Sequence, residues 1–124
     1  MITGGYKGSE RLATIYDPES NTSCNVTSLP EDRFYHTQHG DKLCGGGGRR
    51  GNTTKTCIQW KQDEEQWNVS NTLRVPREDH VSWTTENGTY LIGGGGREGQ
   101  VFTTELVKED GTTDHGFSLK YPTR

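Results

Sequence analysis

The chain has 124 residues, a formal net charge of −3 and a hydrophobic fraction of only 27%. That length suits one ordinary domain, and so mild a charge gives no reason to expect a nucleic-acid partner. No apolar run is long enough to span a membrane, while three Trp, five Tyr and three Phe argue against plain disorder.

Taken in chain order, the elements are short. Met1–Gly5 (MITGG) is an apolar segment ending in glycine, and it lacks the apolar core of a secretory leader. Arg11–Ser20 (RLATIYDPES) reads as a strand that runs into Pro, Asp and Asn turn chemistry. Four strands follow at Phe34–Gln38, Lys42–Gly45, Lys55–Gln59 and Gln66–Asn71, each rich in β-branched or aromatic residues or alternating in polarity. Next, His80–Thr85 and Thr89–Ile92 flank Asn87-Gly88, the strongest two-residue hairpin signal. The last strand-like stretch lies in Thr103–Gly111 (TTELVKEDG). No segment keeps a capped 3.6-residue period, so the expectation is an all-β chain with little or no helix.

Two runs of four glycines, Gly45–Gly48 and Gly93–Gly96, each follow an apolar pair and precede an arginine. A phosphate cradle fits poorly, because no G-K-[ST] follows either run and no helix opens behind it. A flexible linker also fits poorly, since strand-like residues flank both runs. The remaining reading is a mark that returns once per repeat. Aligning on the glycines places MITGG, KLCGGGG and YLIGGGG in register. Upstream, Arg33-x-x-His36 and Arg77-x-x-His80 recur 44 residues apart, each preceded by a proline. Units of four short antiparallel strands at that spacing describe propeller blades.

These residues resemble the kelch-repeat family of β-propellers. Its repeat has an apolar stretch closed by a double glycine, then an aromatic, then a Trp, then an Arg and often a His opening the next blade. Leu43–Gly46, Trp60, Trp67, Arg77 and His80 follow that order, and Ile2–Gly5, Tyr16, Arg33 and His36 follow it in the first unit. The third unit departs, with no Trp after its glycines and Phe117 in the Trp position. The resemblance implies a partial propeller over 1–124, with an incomplete blade at 1–32 and blades at 33–76 and 77–124. Its repeat-defining residues are Gly4, Gly5, Gly45, Gly46, Gly93, Gly94, Arg33, Arg77, His36, His80 and Trp67. In this reading the first two glycines of each run end the second strand and the next two are loop. The chain is then a piece of about two to three blades, with the remaining blades supplied by a longer chain or by a second copy that closes the ring.

In that blade register Cys44 ends the second strand and Cys57 lies on the third, so the two oppose each other within disulfide reach. A bridge there stabilises by about 3 kcal/mol in the chain-entropy model. Two reduced core cysteines are the alternative, and Cys24, on an outer strand, stays free or pairs outside the chain. Five N-x-S/T sites, at Asn21, Asn25, Asn52, Asn68 and Asn87, with the bridge, point to an extracellular, glycosylated chain, a cytoplasmic one being the second option. The expected function is a non-catalytic kelch module that binds an unidentified protein or glycan through inter-blade and strand 2–3 loops. Arg49, Arg50 and Arg97 are its candidate contacts, beside Glu31, Asp32, Glu78 and Asp79. Two alternatives remain: part of a galactose-oxidase-like enzyme whose site lies mostly elsewhere, or a structural extracellular glycoprotein. No catalytic residue, metal or cofactor is assigned to this chain.

Overall fold

A computed structural model describes residues 2–4, 11–47, 53–96 and 99–121. Among these residues every regular element is a strand, and every paired strand runs antiparallel. The first sheet contains β1 (Ile2–Thr3), β2 (Ala13–Asp17) and β3 (Thr22–Asn25). The second is a four-stranded meander of β4 (Thr37–His39), β5 (Lys42–Cys44), β6 (Thr56–Lys61) and β7 (Gln66–Thr72). The third comprises β8 (Val81–Thr85), β9 (Gly88–Ile92), β12 (Thr103–Val107) and β13 (Thr113–Ser118). Between β9 and β12 stands a small hairpin of β10 (Gly95–Gly96) and β11 (Gly99–Gln100), which pattern reading did not anticipate. Among the described residues no sheet closes into a barrel or a ring.

The turns follow from backbone chemistry. The β2–β3 and β6–β7 turns each end on a left-handed residue, Asn21 (φ 53°) and Glu65 (φ 51°). Asn tolerates that region; Glu does so at a cost. The β8–β9 loop is Glu86–Asn87, one residue earlier than the Asn-Gly signal suggests: Gly88 already pairs with Thr85 as the first residue of β9.

Two apolar clusters hold the sheets face to face. Ala13 and Leu29 meet Leu43 and Ile58 between the first and second sheets, with Val26 and Trp67 at the margin. Cys44, Cys57 and Leu73 meet Leu91 and Val107 between the second and third. Leu29 and Leu73 play the same part: each amide donates back to the strand that follows the preceding glycines, to Arg11 O and Lys55 O respectively. Cys44 and Cys57 are directly opposed, with Cα atoms 4.1 Å apart, and form the disulfide. That spacing is close to that of the narrower pair type in an antiparallel ladder. Cys24 is a free thiol on the exposed β3.

One sequence expectation is corrected here. Phe117 does not occupy the place of Trp67. Trp67 stands opposite Trp60, whose counterpart is Val107, and the residue opposite Val107 is Thr113. Trp67 itself packs on Trp60, with ring centroids 5.4 Å apart, and donates its indole N–H to Thr27 O. This β7 tryptophan therefore caps the first interface and has no equivalent in the third sheet.

Candidate functional site

The two Arg-x-x-His segments and the glycine runs meet along one end of the sheets, and they do so twice with the same bonds. Arg33 Nη1 donates to Gly45 O at 2.8 Å and to Thr56 O at 3.0 Å, and its Nη2 to Thr56 Oγ1 at 2.7 Å. Arg77 repeats this on Gly93 O at 2.9 Å, Thr103 O at 2.6 Å and Thr103 Oγ1 at 2.7 Å. Each guanidinium thus holds the two carbonyls where the second and third strands of its own sheet diverge. Both side chains are fully buried, and a fork of five fixed donors suits such a cluster of acceptors.

The residue after each Arg forms a two-way bridge with the third glycine of the following run. Phe34 exchanges both backbone bonds with Gly47, and Glu78 does the same with Gly95. The third glycines are therefore buried and paired, not free loop as the repeat alignment suggests. The next residue turns left-handed in both copies, Tyr35 at φ 57° and Asp79 at φ 58°. This turn is why β4 starts at Thr37 and not at Phe34.

The histidine closes the segment. His80 Nε2 lies 2.9 Å from Thr37 Oγ1 of the preceding sheet, and His36 Nε2 lies 3.1 Å from Thr3 Oγ1. Burial, and secondarily the neighbouring Arg, push both imidazoles down to about 4, so both are neutral at physiological pH. Beneath each ring lies the first glycine of the preceding run. A Cβ at Gly4 would fall 2.5 Å from His36 Cε1 and 2.6 Å from Arg33 O, and one at Gly45 would fall 2.7 Å from His80 Cε1. Only glycine fits there, both for that contact and for φ of 73° and 68°. Backbone bonds finish the joint between the second and third sheets: Gly46 N to Arg77 O at 2.7 Å, and Asp79 N to Tyr35 O at 2.8 Å.

Around this frame lie the exposed groups. Tyr35 is 60% exposed and stands edge-on to Phe34, with ring centroids 5.1 Å apart. Asp32 pairs with Arg11 at 3.0 Å, and Glu31 with Arg33 at 2.6 Å. Glu78 is half-buried and Asp79 exposed. Arg49, Arg50, Arg97, Gly5 and Asn52 lie outside the described residues. Tyr35 was missed from sequence because Phe34–Gln38 reads as a continuous strand. The signal was available in the comparison of the two Arg-x-x-His segments, whose inner residues differ.

The remaining acceptor asparagines are distributed unevenly. Asn21 and Asn87 are exposed in the β2–β3 and β8–β9 turns, and Asn68 is half-buried near the start of β7. The meander places all three toward the end opposite the glycine runs. Asn25 is exposed on β3. Among the described residues no group of three or more His, Cys, Asp or Glu is placed to hold a metal, and no helix is long and apolar enough to cross a membrane. No family model matches the chain, and no curated protein matches it.

Proposed function

We propose that the chain belongs to an extracellular, non-catalytic propeller module of kelch type. It binds a protein or glycan through the edge that carries the Arg-x-x-His segments and glycine runs. The observation that carries this reading is a constant frame with a variable tip. Arg, His and glycine make the same bonds in two successive units, while the left-handed position between them holds Tyr35 in one and Asp79 in the other. Binding residues commonly sit on loops positioned by a rigid scaffold, and repeat proteins build extended surfaces that way. A half-exposed tyrosine on such a frame offers large contact area at low entropic cost.

The extracellular part rests on the Cys44–Cys57 bridge, since disulfides persist in oxidising compartments. Sugars at Asn68 and Asn87 would leave the proposed edge uncovered.

The test is Tyr35→Asn, alone and with Asp79→Asn. Asn tolerates the left-handed backbone, so the frame stays while the aromatic and acidic tips go. Immobilised wild-type chain and variant are compared for partners retained from extracellular fluid and for signal on a glycan array. Retention of a discrete partner or glycan falls about tenfold in the double variant, the scale of one lost contact of ~1.4 kcal/mol. Retention that is equal for wild type and variant, at unchanged melting temperature, refutes the reading.

A further inference from the structure

The third sheet presents an apolar face that nothing described covers. Opposed pairs in the ladders define it: Val81 with Ile92, Trp83 with Tyr90 and Leu106 with Tyr90. Leu91 and Val107, at the alternate positions, face the second sheet. Trp83 is 60% exposed and Val81 59%. Tyr90 joins Trp83 to Phe117, each with ring centroids 6.2 Å away. A contiguous aromatic and aliphatic strip of this kind marks an interaction surface.

What covers it is indicated by the other sheets. The counterpart face of the second sheet carries Thr37, His39, Lys42, Cys44, Cys57 and Gln59. That face is covered by the third sheet, through Leu91 and Val107 on the disulfide, His39 Nδ1 near Thr84 Oγ1 at 3.1 Å, and Asn71 Nδ2 on Lys108 O at 3.0 Å. The first sheet is covered by the second in the same sense, through Leu43 and Ile58 on Ala13. Each interface is directional: one face of a meander receives the opposite face of the next. The third sheet keeps its receiving face free, and that face is more apolar than the covered one, with Trp83 where His39 stands and Tyr90 where Lys42 stands. Among the described residues a face of the opposite kind is also left uncovered. On the first sheet, Thr14 and Tyr16 occupy the positions of Glu105 and Val107, with Leu12 before them; Leu12 and Tyr16 are each 43% exposed.

We infer that the Trp83–Tyr90–Phe117 face of one copy seats the Leu12–Tyr16 face of a second copy, head to tail. Such a contact is heterologous and continues the stacking already present within the chain. Two copies joined at both ends bring six sheets around one axis, within the four to eight that propellers use. The inference does not depend on what the glycine-run edge binds.

Sedimentation velocity and light scattering on the full chain test it, with Trp83→Glu and Tyr16→Glu as variants. Both side chains are substantially exposed, and a retained melting temperature shows that each variant folds. The wild type is expected at twice its 13.9 kDa monomer mass at tens of micromolar, and each variant alone at the monomer mass. Because the contact is head to tail, mixing the two variants restores association, each mixed pair retaining one intact Trp83–Tyr16 interface. A monomeric wild type across the concentration range overturns the inference, as does a dimer that ignores both substitutions. A failure to recover association on mixing points to a face-to-itself contact and overturns it equally.

Discussion

The Arg33 and Arg77 niches are built on one plan and finished differently. Both guanidinium groups hold a glycine carbonyl, a threonine carbonyl and a threonine hydroxyl. Arg77 also directs Nε to Glu105 Oε2 at 2.8 Å, with both side chains buried. Glu105 uses its other oxygen to accept the backbone N–H of Arg74. In the second sheet the corresponding residue of the third strand is Ile58, and Arg33 Nε is buried without a partner among the described residues. Its Nη2 turns instead to Glu31, whose side chain is 48% exposed. Burial pushes the Arg33 guanidinium below its ordinary value, and Glu31 opposes that shift. The carbonyl bonds thus define the repeat, and the carboxylate is a local addition. The second niche keeps a buried apolar contact for Ile58 where the third spends that position on charge.

Removing the carboxylate should separate the two niches sharply. Glu105→Ala leaves Arg77 buried without its counter-charge and strips the Arg74 amide of its acceptor. Breaking a buried pair from one side costs about 3–5 kcal/mol. Urea unfolding should show a loss of that order in Glu105→Ala, and a smaller one in Glu105→Gln, which keeps an acceptor. A loss below about 1 kcal/mol would mean that water reaches Arg77 and that the two niches are equivalent after all.

The two histidine joints sharpen the comparison from the other side, because here the copies agree. Both rings are held near 4, against about 6.5 for an exposed His. The unfolded chain therefore binds protons between pH 6.5 and 4 that the folded chain refuses. Stability is complete above about pH 7 and falls as pH drops through that window. Each unit of depression corresponds to about 1.4 kcal/mol for each ring. Other groups could contribute: His39 is also depressed, by burial and by Lys42, whereas Asp17 and Asp110 are lowered carboxylates and act at more acid pH. Melting temperature measured from pH 8 to 4 should decline below pH 6.5, and His36→Gln and His80→Gln should each flatten part of the slope by a similar amount. If only one of them does so, the joints are not equivalent.

Much of the frame was legible because glycine, Arg-x-x-His and cysteine carry their constraints locally. The four strands of the second unit and the Cys44–Cys57 pairing follow from alternation and from the glycine register. What stayed hidden depends on residues far apart in sequence. Glu105 reads as one acid in a strand until Arg77, 28 positions earlier, is brought against it. The bridges of Phe34 with Gly47 and Glu78 with Gly95 make strand edges out of what composition labels loop. Tyr35 looks like a strand residue because its neighbours are aromatic or β-branched, and nothing in its own chemistry announces a positive φ. The β10–β11 hairpin escaped for the opposite reason: its residues are almost all glycine, and glycine carries no pleat signal.

The smallest effect belongs to Glu31. It is the only carboxylate paired with Arg33 among the described residues, yet it is half in solvent. With Glu31 half in solvent the pair approaches the exposed case, worth roughly 0–1 kcal/mol, because water that already reaches the carboxylate can take its place at Arg33 Nη2. Glu31→Ala should therefore cost under about 1 kcal/mol in urea, several-fold less than Glu105→Ala, although the Glu31–Arg33 bond is the shorter, 2.6 against 2.8 Å. Raising the salt concentration should shrink the Glu31 effect further and leave the Glu105 effect in place, since a buried pair is poorly screened. If the two substitutions cost the same, burial does not govern the strength of the carboxylate contacts in these niches.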